Sequence, residues 1–440
     1  NHFDDADLRI YENGAQADDF DLLSRSDWTG TYPQPLADQS KGKLTFTNQM
    51  KKDVSTADPV IIEEDPEAEM PDYGEKNGLT LAMFIGLEYN NPAWGDLLDQ
   101  MTFDEQDNLS SDAYHHTIAM ASIAKPATVD ENGPIGLTKS FMGADASKCM
   151  AYPSCPVMAA TFNTDLIYRM GQQIGLDALH ANYQGLYGPG ANIHRSPYSG
   201  RNFEYYSEDG ILSGIICEAE TKGIQSKGMY VYSKHFALND QESGRHGICV
   251  FASEQTIREN YLTAFEYSLS KNKGNGHATM TAFNRIGVVW AGAHKGLLTD
   301  VLRGEWGFDG FALSDCWTDI ADTYNSGNLF GNSAAAVLAG GDALDGKLST
   351  QFTGECAIDD HYRKSPTFCQ ALRESTKRML YVVANSSAMN GLAADDKIVL
   401  IMSWWEVALM WIDIVLGVLM VASAVMLVIT IVKQRRQQNK

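Results

Sequence analysis

The sequence predicts an α/β fold, an eightfold (β/α)8 barrel of the TIM type, preceded by an irregular acidic N-terminal arm and followed by one C-terminal transmembrane helix. Three observations carry this. From about Ala119 to Met379, short apolar runs that end in polar clusters alternate with amphipathic segments, the pattern of parallel strands joined by helices. Lys234 to Met280 spans 46 residues and Met280 to Asp315 spans 35, each enough for one strand, one helix and two loops. Finally, residues 414–432 form a run of 19 residues without a charge. The boundaries that follow are an arm and linker at 1–78, a barrel at 79–392, a linker and interfacial segment at 393–413, a membrane span at 414–432 and a basic tail at 433–440.

The arm holds 18 Asp and Glu against 6 Lys and Arg between Asn1 and Glu75, and it has no sustained periodicity. Its apolar islands include Trp28, Tyr32 and Phe46, which are unfavourable in water, so the arm is expected to dock on another surface, that of a missing N-terminal domain. The chain begins at Asn1 without an initiator methionine, which is the expectation for a piece of a longer protein. At 440 residues and 44% hydrophobic content it can still bury a large core. A formal charge of −22 argues against a nucleic-acid partner, because phosphate binding needs basic patches and none precedes the last eight residues. The seven cysteines lack metal-finger spacing. Cys149 with Cys155, and Cys356 with Cys369, are close enough to pair in an oxidising compartment.

A helical stretch is expected near Trp94 to Leu109, with Thr102 and Glu105 placed as a capping box. Strand-like runs then end at Asn132–Pro134, in the segment Tyr187–Pro197, at Tyr230–Phe236, at His277–Asn284 and at Phe311–Asp315, and Gly340–Asp345 closes the series. The sharpest unit is GFALSDCW, Gly310 to Trp317. An apolar strand stops there and leaves Asp315 at its carboxyl end, behind a helix marked by Leu297, Leu298, Val301 and Leu302. Parallel-sheet folds bind ligands at the carboxyl ends of their strands. An aspartate in that position caps a helix or binds a metal at least as often, so the acid by itself is a weak signal.

The last segment is about 28 Å long as a helix, at roughly 1.5 Å per residue, enough to cross the hydrocarbon core. Trp404, Trp405 and Trp411 precede it as an aromatic belt, and Lys433, Arg435, Arg436 and Lys440 follow it. Positive charge on the cytoplasmic side places the tail inside and the barrel outside, in a single-pass protein of the cell membrane. One span cannot enclose a path, which removes a transporter from consideration.

Cleaving a glycosidic bond takes two carboxyl groups and a ring of charged and amide groups for the sugar hydroxyls. The strand ends offer Arg195, Arg201, Glu204, Lys234, His235, Asn239, Glu242, Arg245, Met280 and Asp315. Singly each is more often structural, with Arg195 and Glu242 read as buried ion-pair members; as a set they point to a polyol pocket. The runs GPGANIHRSPYSGRNFEYYSEDG, KHFALNDQESGR, MTAFNRIG and LRGEWGFDGFALSDCW resemble, in order, the signatures of glycoside hydrolase family 3, over about Trp94 to Gly391.

That resemblance implies a retaining exo-glycosidase of β-glucosidase type with Asp315 as nucleophile. It implies Lys234, His235, Arg201 and Met280 as substrate-binding residues; Asn132, Arg195 and Trp317 at the strand ends are expected to join them, and no cofactor or metal is expected. It also resembles members in which an α/β sandwich precedes the barrel and supplies the acid/base glutamate. That carboxylate is expected from such an N-terminal portion, on the same precursor or another chain, with Glu204, Glu208 and Glu242 as in-chain fallbacks. A nearby lysine and arginine would keep Asp315 ionised. Three positions depart from the common pattern: Asn132 stands for an aspartate, Phe283 for a tyrosine, and Cys316 for a tryptophan, with Trp317 one place late. These departures support an alternative, a surface carbohydrate-binding or scaffold protein that keeps the pocket without turnover. Expected partners are a carbohydrate substrate and the membrane; homo-oligomerisation is left open.

Overall fold

The structure is a computed structural model that describes residues 1–7, 46–55, 62–139, 145–246, 248–316, 332–346, 362–399 and 404–439. It contains two compact units, Asn1–Asp396 and Lys397–Lys440.

The first unit is built on a sheet of five parallel strands in sequential order: β1 (Asp130–Asn132), β2 (Gly185–Tyr187), β3 (Tyr230–Phe236), β4 (Ala278–Thr281) and β5 (Phe311–Ser314). Register runs Asn132↔Tyr187, Gly185↔Tyr230, Tyr232↔Ala278 and Met280↔Leu313. A parallel bridge, Leu313↔Ala343, carries the sheet one step further. All seven β3 residues are buried, as in a parallel sheet covered on both faces. The strand ends read from the sequence are therefore at the ends of strands, and GGDALD lies beside β5. The described residues establish an α/β architecture with this open run of strands.

Helices connect the strands as the periodicity requires. The helix Thr164–Ala181 starts at Asn163, whose side chain accepts the Leu166 N–H at 3.0 Å, and ends at Asn182 in the left-handed region. It buries Ile167, Gly171, Ile174, Gly175 and Ala178 on one face. Gly210–Gln225, capped by Asp209, packs across it. At the crossing a Cβ on Gly223 would lie 2.2 Å from the Tyr168 carbonyl oxygen, and one on Gly171 2.6 Å from that of Glu220. Only glycines permit this approach. The helix before β5, Gly296–Glu305, is wound in π form and buries Leu297, Leu298, Val301 and Leu302.

Two expectations need correction. The stretch from Trp94 to Leu109 is two helices, Ala93–Gln100 and Phe103–Ser111, because the Thr102–Glu105 capping box starts the second helix and so breaks the chain at Met101. Cys149 and Cys155 do not pair. The Cys155 thiol is buried at the start of a short helix and directed at the Pro134 carbonyl, while that of Cys149 faces the Asp177 carbonyl. Cys369 is likewise a free thiol, directed at the Arg363 and Tyr362 carbonyls; Cys356 lies outside the described residues.

The first residues of the arm pack on the same unit of the chain. Phe3 and Ala6 are buried, Phe3 stacks on His294 at 5.4 Å, and the Ala252 N–H bonds the Ala6 carbonyl at 3.0 Å. Phe46 meets Phe251 edge-on, and Asn48–Ser55 forms a helix that the sequence pattern did not announce. Trp28 and Tyr32 lie outside the described residues. In the second unit, the helix Trp404–Gln438 has 35 residues and is long and apolar enough, by length and composition, to cross a membrane. It begins ten residues before the predicted span and takes in the three tryptophans.

Candidate active site

The carboxyl ends of the strands surround a cleft of about 270 Å³, near the small end of the roughly 300–1,000 Å³ usual for ligand pockets. Asn132 ends β1, Tyr187 ends β2, Lys234 and His235 come from β3, Met280 from β4, and Asp315 and Cys316 follow β5. Arg201, Glu242, Arg245, His115 and Asp345 complete the wall from loops. The register of β3 against β4 shifts between Lys234 and Phe236. This bulge leaves His235 as the extra residue, so two consecutive side chains reach one cleft.

Asp315 accepts the Cys316 N–H on Oδ1 at 2.8 Å. Its Oδ2 lies 3.5 Å from His235 Nε2 and 4.0 Å from Arg245 Nη1, without a hydrogen-bond partner among the described residues. His235 is buried. Arg201 Nη2 is 3.0 Å from its Nε2, and Tyr205 Oη is 3.0 Å from its Nδ1. A guanidinium can only donate, so Nε2 accepts and a neutral ring carries its proton on Nδ1. Burial, and then the charges of Arg201, Lys234 and Arg245, push the His235 pKa well below its ordinary value. The contact with Asp315 is thus made by an uncharged ring.

Lys234 is also buried and donates to Asn132 Oδ1 at 3.2 Å, with Glu204 Oε2 at 3.9 Å. Burial lowers its pKa, opposed by Glu204 and reinforced by Arg201. Glu204 bonds Arg201 Nε; burial opposes its ionisation, but Lys234 and Arg201 outweigh burial and hold its pKa low. Glu242 takes the Asn239 amide on Oε1 at 3.0 Å, and its Oε2 lies 3.1 Å from Arg245. Arg245 in turn lies over the Phe283 ring at 4.7 Å, so the phenylalanine supports a cation at the cleft.

Six of the predicted residues, Asp315, Lys234, His235, Arg201, Met280 and Asn132, therefore line one cleft. Arg195 is not among its lining residues. Its guanidinium is paired with Asp240 and near Gln241, because the loop after β2 directs it toward the segment following β3. Trp317 lies outside the described residues. Of the fallback acids, Glu242 lines the cleft, Glu204 sits behind it on Arg201 and Lys234, and Glu208 is exposed.

Sequence reasoning missed three wall residues. Tyr187 is the last residue of a strand that had been located, so its position was the available signal. Asp345 lies in the run GGDALD, two residues beyond the Leu313↔Ala343 bridge. His115, 3.0 Å from Glu131 through Nδ1, had no signal of its own.

A parallel α/β sheet whose strand ends carry carboxylates among lysine, arginine, histidine and amide groups defines an α/β protein with a polar cleft at the carboxyl ends of its strands. The chain belongs to glycosyl hydrolase family 3: the Glycosyl hydrolase family 3 N terminal domain matches residues 107–346. A Beta-glucosidase of Ruminococcus albus is 34% identical over 278 residues, covering 62% of this chain and 28% of the relative. An Exo-alpha-(1->6)-L-arabinopyranosidase of Bifidobacterium longum is 35% identical over 228 residues, covering 50% and 30%. Among solved structures, beta-glucosidase 3B from Thermotoga neapolitana in complex with glucose superposes with a TM-score of 0.57 at 29% identity, covering 67% of this chain and 42% of that one. The chain thus spans less than half the length of each of these proteins.

Proposed function

We propose that this chain carries the nucleophile-bearing barrel of a membrane-anchored, retaining exo-glycosidase of β-glucosidase type, acting on terminal non-reducing β-linked sugars. The five-stranded sheet is read as part of a (β/α)8 barrel. In this mechanism Asp315 Oδ2 attacks the anomeric carbon as the bond to the leaving oxygen breaks, forming a glycosyl-aspartate ester; water then cleaves the ester. A second carboxyl group protonates the leaving oxygen and later takes the proton of that water. For retention it sits about 5–5.5 Å from the first. We assign it to an N-terminal α/β sandwich portion, of the same precursor or another chain. Lys234, His235, Arg201, Asn132 and Met280 hold the sugar.

The observation that carries this reading is the Asp315 carboxylate at the end of β5, with one oxygen unengaged among the described residues and facing His235 and Arg245. The helix Trp404–Gln438, with Lys433, Arg435 and Arg436 within its last turns, supports a single-pass anchor with the barrel outside the cell.

The test is labelling with 2-deoxy-2-fluoro glycosides bearing dinitrophenyl leaving groups, followed by peptide mass spectrometry. Such groups depart without protonation, so no acid is needed. A sugar on the peptide containing Asp315 is the expected result, and the productive glycoside identifies the sugar, with glucose and arabinose both in the panel. A second reading, a carbohydrate-binding or scaffold protein, is favoured by the engagement of Glu242 with Arg245 and Asn239. Sugar binding without any adduct would select it.

A further inference from the structure

The cleft is rich in donors and short of acceptors. Lys234, Arg201 and Arg245 can only donate. The Asn132 carbonyl is occupied by Lys234 at 3.2 Å, and both Glu242 oxygens face Asn239 or an arginine. A saccharide hydroxyl accepts and donates, so each one bound needs an acceptor for its own proton. Asp345 provides in Oδ2 an acceptor that no group among the described residues uses. Its residue is 1% exposed, and Oδ1 receives the His115 N–H at 3.1 Å and the Tyr187 hydroxyl at 3.2 Å. Oδ2 has no hydrogen-bond partner among the described residues, and the side chain lines the cleft. A buried polar atom left unpaired is costly, and here it has already been stripped of water at the wall of a binding site. The side chain is also fixed in place, since two donors from different elements hold its other oxygen.

We infer that Asp345 is a sugar-binding carboxyl group of this cleft, accepting a hydroxyl proton of a neutral monosaccharide unit on Oδ2. This rests on the carbohydrate reading above and extends it to a residue outside the strand-end motifs. Asp345 makes no bond to the reacting carbon; it selects sugars that place a hydroxyl against it, and a sugar lacking that hydroxyl gains nothing from it.

The experiment is calorimetric titration at about pH 8.5, where the Asp345 carboxyl is ionised and Oδ2 can accept, of the full chain in a non-glycosidic detergent with glucose, galactose, xylose and arabinose, then with the monodeoxy derivatives of whichever binds. It compares the parent with Asp345→Asn, which is nearly isosteric and keeps an acceptor for His115. The expected result is a loss of about 10- to 100-fold in affinity on substitution, together with one deoxy sugar that parent and variant bind equally. That equality marks the hydroxyl concerned, and a merely structural role would not produce it. Asp345→Ser, checked for folding by thermal melting, should show the same pattern. Parent binding that both variants retain within twofold overturns the role of Asp345 and leaves the carbohydrate reading standing. Failure of the parent to bind any sugar of the panel overturns both.

Discussion

Arg201 and His235 meet through a 3.0 Å contact between Nη2 and Nε2, a bond in which the imidazole must accept. The ring is therefore held neutral beside Asp315, with its proton directed at Tyr205. Nitrogen NMR should find the His235 ring neutral and protonated on Nδ1 from pH 8 down to pH 5. The linked effect has a definite sign. The unfolded histidine gains a proton below its ordinary value of 6.5 while the folded one does not, so this stabilising contribution is complete above 6.5 and declines as pH falls from there toward the lowered folded value. A His235 titration near 6.5 would contradict the assignment.

Asp315→Asn keeps the shape of the cleft and removes the charge proposed to attack the sugar. Hydrolysis of a dinitrophenyl glycoside by the full assembly should fall on the order of 10⁴-fold or more, while sugar affinity stays within about tenfold. Equal steady-state rates for the two proteins would remove Asp315 from the chemistry.

Asp342 lies in a buried cluster beside β5. It receives Arg378 Nε at 2.7 Å, Arg303 Nη2 at 2.6 Å and the Ala312 N–H at 2.6 Å. Asp342→Ala leaves buried Arg378 and partly buried Arg303 without their carboxylate and should cost about 3–5 kcal/mol, read by denaturant unfolding. A loss below about 1 kcal/mol would mean that water replaces the carboxylate there.

The Asp345 carboxyl is pushed up to about 7 by burial, with the Asp315 charge adding and His115 opposing. A raised acid contributes stability that is full below its unfolded value of 3.8 and is lost as pH rises toward 7. Asp345→Asn does not titrate, so its stability relative to the parent should improve steadily between pH 4 and pH 7. A pH-independent difference in unfolding free energy would refute this.

Removing 397–440 should release the remaining unit from membranes. Flotation with liposomes should carry the full chain upward and leave the truncated one at the bottom in low and high salt alike, because the contact is hydrophobic rather than ionic. Co-flotation of the truncated chain would place the anchor elsewhere.

The strand ends were legible because a parallel strand writes itself locally: an apolar run, then a polar cluster where the backbone emerges. Asn132, Lys234, His235, Met280 and Asp315 could all be placed that way. Arg195 could not be placed, because its direction depends on the loop after β2, where an arginine reaches whichever carboxylate the fold brings near, here Asp240. His115 and Asp345 are 230 residues apart and meet only in three dimensions; nothing in either local sequence announces the other. The break at Met101 was legible in principle, since a capping box marks the start of a helix and not its middle. The open thiols of Cys149 and Cys155 show the limit of spacing as an argument, because six residues of separation say nothing about which way either side chain points.

The segment from Asp342 to Asp345 is stitched along β5 by consecutive bonds: the Ala343 N–H to the Ala312 carbonyl at 3.1 Å, the Ser314 N–H to the Ala343 carbonyl at 2.9 Å, and the Asp345 N–H to Ser314 Oγ at 3.0 Å. Asp315 is the next residue along that same edge. The two acids are thus mounted on one rail, and their spacing is set by backbone rather than by the loops around them. Surrounding loops can lengthen, shorten or change composition over evolutionary time without detuning the pair. A single inserted residue between 342 and 345 would turn one acid to the opposite face of the sheet.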